Sequence, residues 1–147
     1  MKNFSVFLIT VVCTVLSINS FAQTGTKPKL FSNFPNRIEC NEVELANAFS
    51  TNVGQTVDFS LLSNLSGNVT ANILRYSNLQ SVFIKSTQFD NAIFSLTKAT
   101  NPDGTIEYSG RIINQNYFDG YELKKNENGT YSLIKIETDQ TLHLCSQ

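Results

Sequence analysis

"CNEVELANAFSTNVGQTVDFSLL", residues 40–62, changes its hydrophobic period halfway along. Leu45, Ala48 and Phe49 recur at i, i+3 and i+4, the spacing of one apolar helix face. Beyond Gly54, Val57, Phe59 and Leu61 alternate with Thr56, Asp58 and Ser60, the period of a strand with one buried face. Asn41 is placed to cap the helix, and Glu44 to reach back and complete a capping box. Glu42 and Glu44 suit the positive end of the helix dipole, and Gly54 is a stop signal. A helix of about three turns is marginal alone and has to dock on something.

The period of two persists downstream. Val69, Ala71 and Ile73 alternate with polar residues after a turn in "LSNLSG", and "SNLQ" turns the chain again. Val82 and Ile84, or else Phe83, form the inward set of the next strand; Phe94 and Leu96 lead the one after. "NPDG" at 101–104 is a strong turn, since Pro fixes φ and Gly accepts a positive one. Ile106, Tyr108 and Ile112 alternate beyond it, and "ENG" at 127–129 joins strands over 120–125 and 130–137 in a tight hairpin. A last short strand is expected at Leu142 and Leu144. Upstream, Pro35 argues for an extended segment through "LFSNFPNRIEC" laid on the core. Short turns between such strands give an antiparallel meander, and a right-twisted sheet of that size curls. The expected fold is α+β: one short N-terminal helix packed on a strongly curved antiparallel β-meander, or a small β-barrel, of six to eight strands.

The first residues, "MKNFSVFLITVVCTVLSINSFAQ", have a basic start, an apolar run from Phe7 to Leu16 and small residues at Ser20 and Ala22. That is the pattern of a secretory signal peptide over 1–22. The run is short for a membrane anchor, which needs roughly 20 apolar residues. Cys13 lies inside the run behind Val12, which does not suit a lipid-acceptor cysteine. Residues 23–29 read as a flexible leader and 30–147 as a single β-rich domain. The expected address is secreted or periplasmic, with no membrane anchor after cleavage. Eleven basic against 12 acidic side chains leave no basic footprint for nucleic acid.

Three cysteines are present; setting Cys13 aside leaves Cys40 and Cys145 near the two ends of the domain. In an oxidising compartment the expectation is a disulfide between them, with free buried thiols as the alternative. His143, the single histidine, stands two residues before Cys145. A nucleophile–base pair so close to the chain end would be poorly held, so His143 is read as a neighbour of the bridge. No spacing of a metal site, P-loop, dinucleotide fingerprint or serine hydrolase occurs, and no cofactor is expected. Acidic residues such as Asp103, Glu107, Glu122, Glu127, Glu137 and Asp139 read as solvated charges. Lys124 and Lys125 read as protection of a sheet edge.

"NQNYFDGYELKK", residues 114–125, is the densest mix of aromatic and polar side chains. Asn116, Tyr117, Phe118, Asp119 and Tyr121 form a candidate recognition loop. The competing reading is a strand whose Tyr121 and Leu123 point inward. The short signal ending "SFAQ", ahead of an Asn-, Lys-, Ile- and Phe-rich single domain, resembles small exported proteins of Bacteroidota. The resemblance implies a Gram-negative periplasmic or extracellular address and leaves the sequons at Asn64, Asn68 and Asn128 unmodified; it names no activity. The functional expectation is a non-enzymatic exported binding domain acting on a protein partner. A specific version is a peptidase inhibitor that uses the leader. The alternatives are a carrier of a small apolar ligand, lined by Phe59, Phe83, Phe94 and Ile112, and an enzyme of a class the sequence does not reveal.

Overall fold

The structure is a computed structural model and describes residues 27–138. It holds eight strands and one helix: β1 (Arg37–Cys40), α1 (Glu42–Ser50), β2 (Thr56–Phe59), β3 (Leu65–Tyr76), β4 (Leu79–Ser86), β5 (Ile93–Thr100), β6 (Ile106–Ile113), β7 (Asp119–Lys125) and β8 (Tyr131–Glu137). Every pairing is antiparallel, in the order β1-β8-β7-β6-β5-β4-β3-β2. The sheet curls into a half-barrel with α1 packed on it, which is the expected α+β class. It stays open, because β1 and β2 are its two edges. The helix joins β1 to β2, so it has to cross from one edge to the other. It does so over the concave face, with Leu45, Ala48 and Phe49 buried.

The strand registers stack the core in rows. Val69, Ile84, Phe94, Ile112 and Tyr121 stand side by side across five strands. Val82, Leu96, Gly110, Leu123, Leu133 and Ile38 make a second row. Gly110 is required where it stands, since a Cβ there would lie 2.5 Å from the Ser95 carbonyl oxygen. Phe49 stacks on Tyr108 at 5.9 Å, joining the helix to β6.

The ends of the helix differ from expectation. Asn41 does cap it, accepting from the Val43 N–H at 3.0 Å. Glu44 does not close the capping box; its carboxylate accepts from Ser60 N–H at 2.9 Å and Ser60 Oγ–H at 3.1 Å. The helix lies against the end of β2, and Ser60 offers two donors there. At the other end Thr51 is already extended, ahead of Gly54. The last helical carbonyls lack intrahelical partners, and the sheet supplies them. Asn72 Nδ2 donates to Phe49 O at 2.9 Å and Thr51 O at 3.1 Å, and Gln80 Nε2 to Phe49 O at 3.1 Å.

Other boundaries also moved. The first turn is at 60–64, so Leu65 and Gly67 belong to β3. Leu62, Ser63 and Asn64 all have positive φ (48°, 60° and 70°). Leu65 N–H closes this left-handed turn on Leu61 O at 2.7 Å. Irregularities between Val69 and Ala71 and between Leu74 and Tyr76 break the simple alternation of β3, and Ile73 is 42% exposed. Ile106, expected inward, is 44% exposed at the start of β6. Residues 37–40, expected only as an extended layer, pair with β8 as an edge strand. Lys124 and Lys125 do not guard an edge, because β7 lies between β6 and β8; they pair with Glu122 and Glu107 instead. The strand at Leu142 and Leu144, the signal segment, Cys13, His143 and Cys145 lie outside the described residues. No helix among the described residues is long and apolar enough to cross a membrane.

Candidate binding groove

Val82, Ile84, Phe94 and Ile112 face the core, so their strand neighbours Phe83, Lys85, Ile93, Ser95 and Ile113 face outward. The register brings Phe83 beside Ser95, Lys85 beside Ile93, and Ile93 beside Ile113. These residues floor a surface groove of about 550 Å³ on the convex side of the sheet. Its floor is Phe83, Ile93 and Ile113, and its rim is Lys85, Asp90, Asn91, Asn114, Gln115 and Asn116.

Two loops wall the groove and lock each other. The turn from Phe89 to Ala92 closes with Ala92 N–H on Phe89 O at 2.7 Å, with Asp90 and Asn91 at φ 44° and 60°. Asp and Asn tolerate that left-handed backbone better than other side chains. Asn114 Nδ2 donates to Asp90 O at 2.7 Å, and Asn114 Oδ1 accepts from Asn116 N–H at 2.9 Å. The Asp90 carboxylate near the Tyr117 hydroxyl raises the pKa of that hydroxyl. Beneath the wall, Phe89 packs on Phe31 and Phe34, each at 5.5 Å. The carboxamides of Asn91, Gln115 and Asn116 are exposed and make no side-chain hydrogen bond with the described residues.

The five residues of the expected recognition loop separate by role. Asn116 is on the groove rim, and Tyr117 is next to it with its hydroxyl under the influence of the Asp90 carboxylate. Phe118 N–H donates to Pro28 O at 2.9 Å, and Lys29 Nζ stands 5.5 Å over the Phe118 ring. Asp119 and Tyr121 are buried, at 1% and 0% exposure. Two positions apart on β7, they share its concave side. The Asp119 carboxylate accepts from Leu30 N–H at 2.6 Å and Phe31 N–H at 2.9 Å. The Tyr121 hydroxyl donates to Pro35 O at 2.6 Å. Lys135 Nζ completes the clamp on Phe31 O and Phe34 O, at 2.7 and 2.5 Å. So Asp119 and Tyr121 hold the entering chain against the core, and their polarity serves the interior.

The residues named for an internal ligand also separate. Phe59 packs on Phe94 at 5.4 Å and Ile112 is fully buried, while Phe83 lies on the opposite face. Phe31, Leu45, Ala48 and Phe49 fill the concave side. Cys40 is half-buried at the end of β1, and burial pushes its thiol up to about 12. Among the described residues no group of His, Cys, Asp or Glu is arranged to hold a metal ion.

Phe83, Ile93 and Ile113 were missed as a set. The signal was in the sequence: "VFI", "AIF" and "RII" each put apolar residues on both faces of a strand. Doubling on three neighbouring strands marks an apolar outer patch. Comparison with family models, with curated proteins and with solved structures finds no match to this chain.

Proposed function

We propose that the chain is an exported, non-enzymatic binding module that takes an extended segment of a protein partner into the outer groove. The observation that carries this reading is the apolar floor of Phe83, Ile93 and Ile113 beneath the exposed carboxamides of Asn91, Gln115 and Asn116. A carboxamide offers both donors and an acceptor, which matches the N–H and C=O groups of a peptide backbone. The floor would accept an apolar side chain of that segment. Walls already locked by hydrogen bonds lower the ordering cost of association.

The test compares proteins captured from the host's exported fraction by the wild type, by an Ile93→Asp/Ile113→Asp variant and by an Ile106→Asp control. All three are first matched for folding by circular dichroism and melting. A partner retained by the wild type and the control but lost by the groove variant supports the reading. A partner retained equally by all three, or no partner at all, overturns it.

A further inference from the structure

The two edges of the sheet are built differently. At the β1 edge the strand is four residues long, begins two residues after Pro35, and exposes Arg37 and Glu39. Short length, proline and charge are the usual ways of blunting an edge. At the other edge, β2 pairs only with Leu65–Asn68. The turn before β2 reaches one residue further, through Gly54 N–H to Val69 O at 2.8 Å and Gln55 O to Val69 N–H at 2.9 Å. From Ala71 to Tyr76, β3 has β4 on one side and, among the described residues, no strand on the other. This stretch contains no proline and a single charge, Arg75, and Ile73, Leu74 and Tyr76 are 42%, 67% and 68% exposed. Backbone donors and acceptors on such an edge call for another extended strand.

We infer that this edge pairs with the same edge of a second copy of the chain, forming an isologous dimer through an antiparallel β3–β3 contact. The sequence is self-complementary in that arrangement. A two-fold axis at Ile73 sets Ile73 against itself, Asn72 against Leu74, Ala71 against Arg75 and Thr70 against Tyr76. The single cation then faces a small apolar residue and not its own copy, so no like charges are opposed. The exposed apolar side chains gain partners on both faces of the joined sheet, and the irregularities at Thr70 and Arg75 leave Ala71–Leu74 as the regular stretch about the axis. This edge adjoins the outer groove where Ala71 pairs with Phe83, but none of residues 71–76 lines the groove, so the two inferences are tested separately.

The test is sedimentation equilibrium of the mature protein over a concentration series, with amide hydrogen exchange read at both ends of the series. The expected result is twice the monomer mass at high concentration, with slowed exchange confined to residues 70–76. Ile73→Lys and Leu74→Lys, at exposed positions, should return the mass to one chain without altering the melting curve of the dilute protein. A single-chain mass at every concentration, or a dimer that both lysine variants leave intact, would overturn the inference; so would slowed exchange elsewhere on the surface.

Discussion

Asp119 shows how one side chain can anchor the segment ahead of the first strand. Its two carboxylate oxygens take the Leu30 and Phe31 N–H groups, which otherwise would be buried without partners. Asp119→Ala should destabilise the domain by about 2–4 kcal/mol, because both donors are then left unpaired. Asp119→Asn keeps one acceptor and should lose roughly half of that. Urea melts of the two variants would check the order, and equal losses would show that the pairing is not what matters. Tyr121 gives a pH signature. Burial, and then the Asp119 charge, raises its pKa to about 12 from an ordinary value of 10. An unfolded tyrosine therefore releases its proton between those values while the folded one keeps it. Stability should be level below pH 10 and fall as pH rises towards 12. Tyr121→Phe should flatten that part of the profile while losing the bond to Pro35 O; an unchanged slope would place the alkaline transition elsewhere.

At the scale of elements, the left-handed turn at 62–64 sets local strain against packing. Left-handed backbone costs a side-chain-bearing residue roughly 1–2 kcal/mol, and here it is offset by burial of Leu61, Leu62 and Leu65. Ser63→Gly should therefore raise stability by about 0.5–1 kcal/mol, read from its shifted denaturation midpoint. A lower midpoint would mean that the serine side chain matters more than its backbone. The expected Cys40–Cys145 bridge meets a limit of reach. Cys40 pairs with Tyr131 at the start of β8, and Thr138 follows the other end of that strand, about 23 Å away at ~3.3 Å per residue. Residues 139–145 can span at most about 25 Å, and the bridge itself adds about 5–6 Å between its Cα atoms, so a bridge is within reach only if that segment heads back towards Cys40. A bridged protein unfolded without reductant should take up no alkylating reagent at Cys40 or Cys145, and labelling of both would exclude the bridge. Labelling of the native protein is a weaker guide, since burial keeps Cys40 protonated at neutral pH.

For the whole molecule, the fold class was legible because the switch from a helical period to alternation occurs within 40–62 and later turns carry strong local chemistry. The long-range features were not. Nothing local says that 37–40 pairs with β8, or that Asn72 and Gln80 finish a helix they follow in sequence. Those contacts exist only once the helix spans the half-barrel. The same crossing explains why the concave face is filled, which leaves the outer face for the recognition proposed above. There, loop residues singled out by composition divided between rim and interior, and the floor came from strands read only for their inward halves. The central claim is that an extended partner segment lies in the groove between Phe83, Ile93 and Ile113 and the rim at Gln115 and Asn116. It is tested most directly by placing a photo-reactive phenylalanine analogue at Gln115, and in a second protein at Glu127 on the β7–β8 hairpin, and irradiating each in the producing cell. The account predicts a single discrete protein adduct from position 115 and none from 127, with the cross-linked segment of the partner rich in apolar residues. No adduct from 115, or the same adduct from both positions, would contradict it.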